Sequence, residues 1–145
     1  MIDDLYSAKI LTLVANMPRA ASEKTAKLCG SRIVVDVTVQ DGKVVDYAQD
    51  VSACALGQAA AAILGANVIG AELSEIELAR DSLAAMLKSN GSPPAGRFAE
   101  LAVLEPVKDY PARHASTLLA FDATVEAVRK ATARSETRTS TAGAA

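Results

Sequence analysis

Apolar and polar residues change their period several times along this chain, and each change marks an element. Tyr6, Ile10, Leu13 and Met17 recur at helical spacing, with Asp3 or Asp4 placed to cap the helix and Pro18 to stop it. Ala20 to Lys27 is small and polar and reads as a mobile link. Ile33, Val35, Val37 and Val39 then alternate with Arg32, Asp36, Thr38 and Gln40, the period-two pattern of a half-buried strand. Asp41-Gly42 is a strong signal for a tight hairpin, and the return strand runs from Lys43 to about Gln49. Ser52 is placed as the N-cap of an alanine-rich helix beginning at Ala53.

The second half reads as helical. Ser74 and Glu77 make a capping box, with Leu73 and Leu78 as its hydrophobic staple. The helix they open buries Ile76, Ala79, Leu83 and Leu87 and ends at Asn90-Gly91. Ser92-Pro93-Pro94 is a loop, and Phe98 to Val103 a short helix. Pro111 suits the first turn of a long final helix with His114, Leu118, Phe121, Val125 and Val128 on its inner face. From Arg134 the apolar period is lost, so residues 134–145 are expected to be a disordered tail after one domain spanning 1–133. The elements define an α+β fold, a small antiparallel sheet packed against several helices.

Composition narrows the classes. A chain of 145 residues folds as one domain and buries about 70% of its unfolded surface. Aromatics are 3% and Trp is absent, so the core must be aliphatic. A net charge of -2 gives no basic footprint for nucleic acid. The apolar run from Ala59 to Ala71, interrupted by Asn67, is shorter than the roughly 20 residues of a membrane span. Met1-Ile2-Asp3-Asp4 lacks the basic start of a secretory signal, so the expected location is cytoplasmic, where a structural disulfide is disfavoured.

The chemistry gathers at two thiols. Cys29 stands just before the first strand of the hairpin, and Cys54 just after the second. A hairpin brings the chain back to its starting end, so residues 25 positions apart in sequence are expected to meet. Such a pair can bind a metal, share a disulfide or carry sulfur. Cys54, read as the second residue of a helix, has unpaired N–H groups and the positive end of the dipole beside it, which favour the thiolate. The bland alternative is a small buried core cysteine. Cys29 precedes Gly30, which lets the backbone come close to a bound ion.

Other candidates are weaker. His114 heads an apolar stripe, where a core histidine competes with a ligand. The neutral hydroxyl of Ser116 is a poor partner for iron or zinc beside thiolate. Asp36, Asp46 and Asp50 read as exposed strand positions with no catalytic role. The chain has no Gly-rich phosphate loop, no CxxC pair and no HExxH pattern.

Five segments in order carry a resemblance. They are Leu5-Tyr6-Ser7-Ala8-Lys9-Ile10-Leu11 with Asn16-Met17-Pro18-Arg19, then Cys29-Gly30, then Asp41-Gly42-Lys43-Val44-Val45-Asp46. Cys54 opening a small-residue helix follows, and last comes Tyr110-Pro111-Ala112-Arg113-His114-Ala115-Ser116 and the residues to Ala120. Together these resemble the NifU N-terminal domain and its IscU and SufU relatives, the iron–sulfur cluster assembly scaffolds. The last segment is similar to that family's Pro-x-Arg/Lys-x-x-Cys. The family's third cysteine is replaced by Ser116, and the Asp that follows its first cysteine by Ser31. Ala115 stands where IscU-type members have His, one position from His114. The long stretch from Cys54 to Pro111 looks more like SufU.

The resemblance implies a scaffold, not an enzyme, that binds iron or a labile 2Fe–2S cluster through Cys29 and Cys54. His114 is a third candidate ligand and zinc an alternative metal. It also implies a cysteine desulfurase and cluster-acceptor proteins as partners, with no nucleic acid and no membrane. A homodimer whose two subunits each give Cys29 and Cys54 would supply the four thiolates a 2Fe–2S cluster takes. Two other functions fit the same residues. One is a SufU-type sulfur acceptor with persulfide on Cys54; the other is a non-catalytic interaction protein with the scaffold fold.

Overall fold

The computed structural model describes the backbone of residues 19–26 and 30–144 and the side chains of 30–133. The helix expected before Pro18 lies outside the described residues, as does Cys29. The fold is α+β. Three strands, β1 (Arg19–Ala26), β2 (Ser31–Gln40) and β3 (Lys43–Ser52), form an antiparallel sheet in that spatial order. Against it pack α1 (Ala55–Asn67), α2 (Leu73–Ser89) and α3 (His114–Ala144).

β2 behaves as its alternation predicts: Ile33, Val35, Val37 and Val39 are buried while Arg32 and Gln40 face solvent. Asp41 (φ 53) and Gly42 (φ 77) both take the left-handed conformation that a type I′ hairpin requires, which is why Asp-Gly stands there. The mobile link expected at residues 20–27 is corrected. Arg19–Ala26 pairs with β2 from Arg19↔Thr38 to Ala26↔Ser31. A ladder of backbone bonds defines that strand, and no side-chain period announces it.

Two helix starts also move. Ser52 does not cap a helix; it pairs with Arg32 as the last residue of β3, and Cys54 is the N-cap of α1. The ladder continues as long as β2 offers a partner, so the helix begins two residues later than expected. α2 is capped by Glu72 and Glu75 rather than Ser74 and Glu77, and Leu78, expected in a staple, is 67% exposed. The bridge Lys43↔Glu72 keeps the chain extended up to Glu72, and the helix turns directly out of it. Its inner face and its end at left-handed Asn90 (φ 54) are as expected.

Arg97 ties these helices together. Its guanidinium donates to the carbonyls of Asn67, Ile69 and Gly70 at the end of α1, and to Glu75 in the first turn of α2. The short helix expected at Phe98 to Val103 is instead a run of 3-10 turns over Gly96–Asp109, kinked at Phe98. Pro106 has no N–H to give an α-helix, and the tighter turns accommodate it.

Another 3-10 turn, Pro111–Arg113, leads into α3. His114, Leu118, Phe121, Val125 and Val128 are all buried along α3, as the spacing predicts. Phe121 meets Phe98 edge-on, with ring centroids 5.6 Å apart. Each fully buried side chain of this size stabilises the fold by roughly 1.5–3 kcal/mol. The backbone stays helical to Ala144, where the sequence predicted disorder from Arg134. Residues 134–142 contain no Gly or Pro, and extending an existing helix costs far less than nucleating one.

Candidate functional site

The β2–β3 ladder ends at Arg32↔Ser52, and Cys54 stands two residues beyond it. The β1–β2 ladder ends at Ala26↔Ser31 on the same side. Ala26 and Ser31, the paired residues nearest to Cys29 in the sequence, therefore lie at the end of the sheet where Cys54 stands. Ser31, in the place of the acidic residue noted above, is 3% exposed.

Cys54 is the N-cap of α1, not its second residue, with extended backbone (φ −67, ψ 172). Its carbonyl accepts the first helical hydrogen bond, from Gln58 N at 2.9 Å. No capping hydrogen bond closes onto the half-buried sulfur, yet the sulfur lies beside the unpaired N–H groups of the first turn. They hold the thiol below its usual pKa: the Gly57 N–H foremost, then the Ser116 hydroxyl, with smaller help from Leu56 N–H and the Arg113 charge. Partial burial opposes them.

Ser116 is 1% exposed, and its Oγ stands 3.6 Å from Cys54 Sγ. The same hydroxyl donates to the Arg113 carbonyl at 3.2 Å, which Thr117 Oγ1 also bonds at 2.8 Å. A hydroxyl has one proton to give. Facing a thiol, Ser116 keeps that proton on Arg113 and accepts from S–H. Facing a thiolate, it turns and donates to sulfur, while Thr117 continues to satisfy the carbonyl. The site thus accommodates both states of Cys54 without leaving a buried polar atom unpaired.

His114 is 8% exposed, and its Nε2 stands 3.0 Å from the Val107 carbonyl oxygen. A carbonyl only accepts, so Nε2 carries the proton and pins the 3-10 run to the start of α3. That leaves Nδ1 as the only ring nitrogen free of this bond. Of the strand aspartates, Asp46 and Asp50 are exposed, but Asp36 is half-buried. Among the described residues, no three His, Cys, Asp or Glu side chains converge on a metal position. No described helix is long and apolar enough to cross a membrane.

Sequence reasoning missed Gly57. The only signal was a glycine three residues after the cysteine, just ahead of a run of alanines. It also missed that Thr117 backs up Ser116.

The class the fold and site define is an α+β protein with an activated cysteine at a helix start, beside the end of a small antiparallel sheet. Residues 10–117 match the NifU-like N terminal domain, so the chain belongs to this family of iron–sulfur cluster assembly scaffolds. Over 102 residues it is 28% identical to the iron–sulfur cluster assembly scaffold protein IscU of Thermotoga maritima, spanning 70% of this chain and 71% of that one. The crystal structure of a nitrogen-fixing NifU-like protein (N-terminal) from Brucella abortus is 47% identical. It superposes with a TM-score of 0.76, covering 90% of this chain and 96% of that one. A SufU protein of Fervidobacterium islandicum shares the fold at 19% identity, with a TM-score of 0.70 over 86% of this chain and 97% of that one.

Proposed function

We propose that this protein is a scaffold that holds iron or a labile 2Fe–2S cluster as cargo, through the thiolates of Cys54 and Cys29. The observation that carries the reading is the pair Cys54 Sγ and Ser116 Oγ, 3.6 Å apart at the end of the sheet where Ala26 and Ser31 pair. Sulfur and oxygen ligands of one tetrahedral ion, at bond lengths of about 2.3 and 2.0 Å, stand about 3.5 Å apart, close to the separation here. The corner thus has the bite of a metal site, with a hydroxyl where the family carries its third thiolate. His114 joins the set only through Nδ1, or if its Nε2–H leaves Val107. Exchangeable ligands therefore complete the shell: a small thiol, or Cys29 and Cys54 of a second subunit. The cargo is then weakly held, which suits a protein that must pass it on. Its partners are a cysteine desulfurase and cluster-acceptor proteins in the cytoplasm.

One observation favours a second reading. Cys54 is an acidic, partly accessible thiol with a hydroxyl poised to donate to its anion, and that arrangement equally suits accepting sulfur as a persulfide in the SufU manner.

Anaerobic purification, with iron, zinc and labile sulfide counted on wild type, Cys54→Ser and Cys29→Ser, tests the proposal. Near-stoichiometric iron and sulfide that vanish in both variants support the scaffold. A persulfide on Cys54 without metal supports the second reading. No metal and no persulfide in any of the three leaves a non-catalytic interaction protein. Size-exclusion chromatography of apo and reconstituted protein tells a shared cluster from one held in a monomer.

A further inference from the structure

The first turn of α1 lies against the start of α3, and a single glycine makes that approach feasible. Gly57 is buried. A Cβ built on it would stand 2.9 Å from Ala53 Cβ and 3.2 Å from the Ser116 carbonyl oxygen. The first distance is inside ordinary contact, and the second presses on backbone that cannot swing aside. Elsewhere in the same helix, a Cβ on Gly65 would meet only the Gln49 side chain at 3.5 Å and Tyr47 at 3.8 Å. The two glycines of α1 therefore differ: one has room for a side chain and the other does not.

The crowded one touches both residues of the pair. Its N–H faces Cys54 Sγ from one side, and its Cα faces the backbone of Ser116 from the other. We infer that Gly57 is a positioning residue: having no side chain, it lets the first turn of α1 close on the Ser116 carbonyl, and that approach sets the separation of Cys54 Sγ from Ser116 Oγ. Any side chain at position 57 wedges the turn off α3 and widens the 3.6 Å gap. The inference rests on the reading of this corner as the cargo end, but its test uses no cargo, so the two can fail separately.

Disulfide exchange measures the separation. In the full chain carrying Cys29→Ser and Ser116→Cys, the two remaining sulfurs replace the sulfur–oxygen pair. Equilibration with glutathione oxidises them to one disulfide while one glutathione disulfide is reduced to two thiols, and the constant reports their effective concentration. Adding Gly57→Ala should lower that constant about tenfold, whereas Gly65→Ala should leave it within about twofold even if it lowers the melting temperature. A merely structural glycine would shift melting and leave the exchange constant alone. If Gly57→Ala does not fold, the double variant Ala53→Gly/Gly57→Ala carries the test. It removes the 2.9 Å clash and keeps the 3.2 Å contact, so the constant should fall by a smaller factor. A constant equal to the parent's in a folded variant at position 57 overturns the inference.

Discussion

Arg97 Nε stands 3.0 Å from Glu75 Oε2, and through that contact one guanidinium closes the ends of two helices. Another arm of Arg97 reaches the carbonyls of Asn67, the last residue of α1, and of Ile69 just beyond it, where a positive group also meets the negative end of the helix dipole. Glu75 Oε1 at the same time accepts the Glu72 N–H that opens α2. Arg97→Ala should destabilise the fold by about 1–2 kcal/mol, read from denaturant midpoints. The Arg97 hydrogen bond holds the Glu75 carboxyl below the usual carboxylate range. For a depressed acid, the contribution is present above the unfolded pKa and lost as pH falls through the folded one. The difference between Arg97→Ala and wild type should accordingly shrink below about pH 4.

Tyr47 offers the opposite sign. Burial pushes its phenol up to about 12, against a hydrogen bond with Thr124 that lowers it. A raised acid stabilises the fold fully below its unfolded pKa of about 10 and loses that contribution as pH rises through the folded value. In a spectrophotometric titration, Tyr47 should ionise late, and only as the protein begins to unfold. Tyr47→Phe removes the late step, and by stranding Gln49 Oε1, which the phenol reaches at 2.9 Å, costs about 1–2 kcal/mol.

Timed alkylation should find Cys54 the faster of the two thiols, with its rate rising through an inflection below the ordinary cysteine value of about 8.5. Ser116→Ala removes the hydroxyl that donates to the anion and should move the inflection upward. Faster labelling of Cys29, with mass mapping, would contradict the argument.

Ser116→Cys restores a thiol at the bite distance from Cys54. This variant should retain zinc or a cluster through gel filtration better than wild type. Equal and negligible metal in both would favour the interaction-protein reading.

Removing residues 134–145 should change the melting temperature by no more than about 2 °C. Among the described residues the buried face of α3 runs as far as Ala131, and the truncation leaves every described core residue in place. A larger fall would mean that the tail docks on the domain.

Much of this was legible in the sequence because it rests on side-chain period. The alternation in β2 and the stripes of α2 and α3 are written directly in residue type, and Asp41-Gly42 announces the turn. What escaped is set by backbone pairing. β1 has no apolar period, Ser52 looks like a cap until Arg32 claims it for the sheet, and Glu72 replaces Ser74 because Lys43 bridges it. The site was legible as to residue and not as to environment. Cys54 and Ser116 could be named from sequence, and His114 weighed as core against ligand. The role of Gly57 depends on an approach between helices that lies 59 positions apart in sequence, from 57 to 116.

The hairpin is fastened unequally along its length. Among the described residues, the outer edge of β3 is stitched at its turn end, where Val44 exchanges backbone hydrogen bonds with Gly70 and Ala71 beside the Lys43↔Glu72 bridge. Ser52, at the other end, runs straight out of the ladder into Cys54. Local opening therefore begins where stitching is absent. Fraying there lifts Cys54 from the sheet while the turn stays shut, and amide exchange should run faster at Val51 and Ser52 than at Val44. Under the proposed scaffold function, loading and release would need only a door at the corner, hung from a hinge at the far side of the sheet.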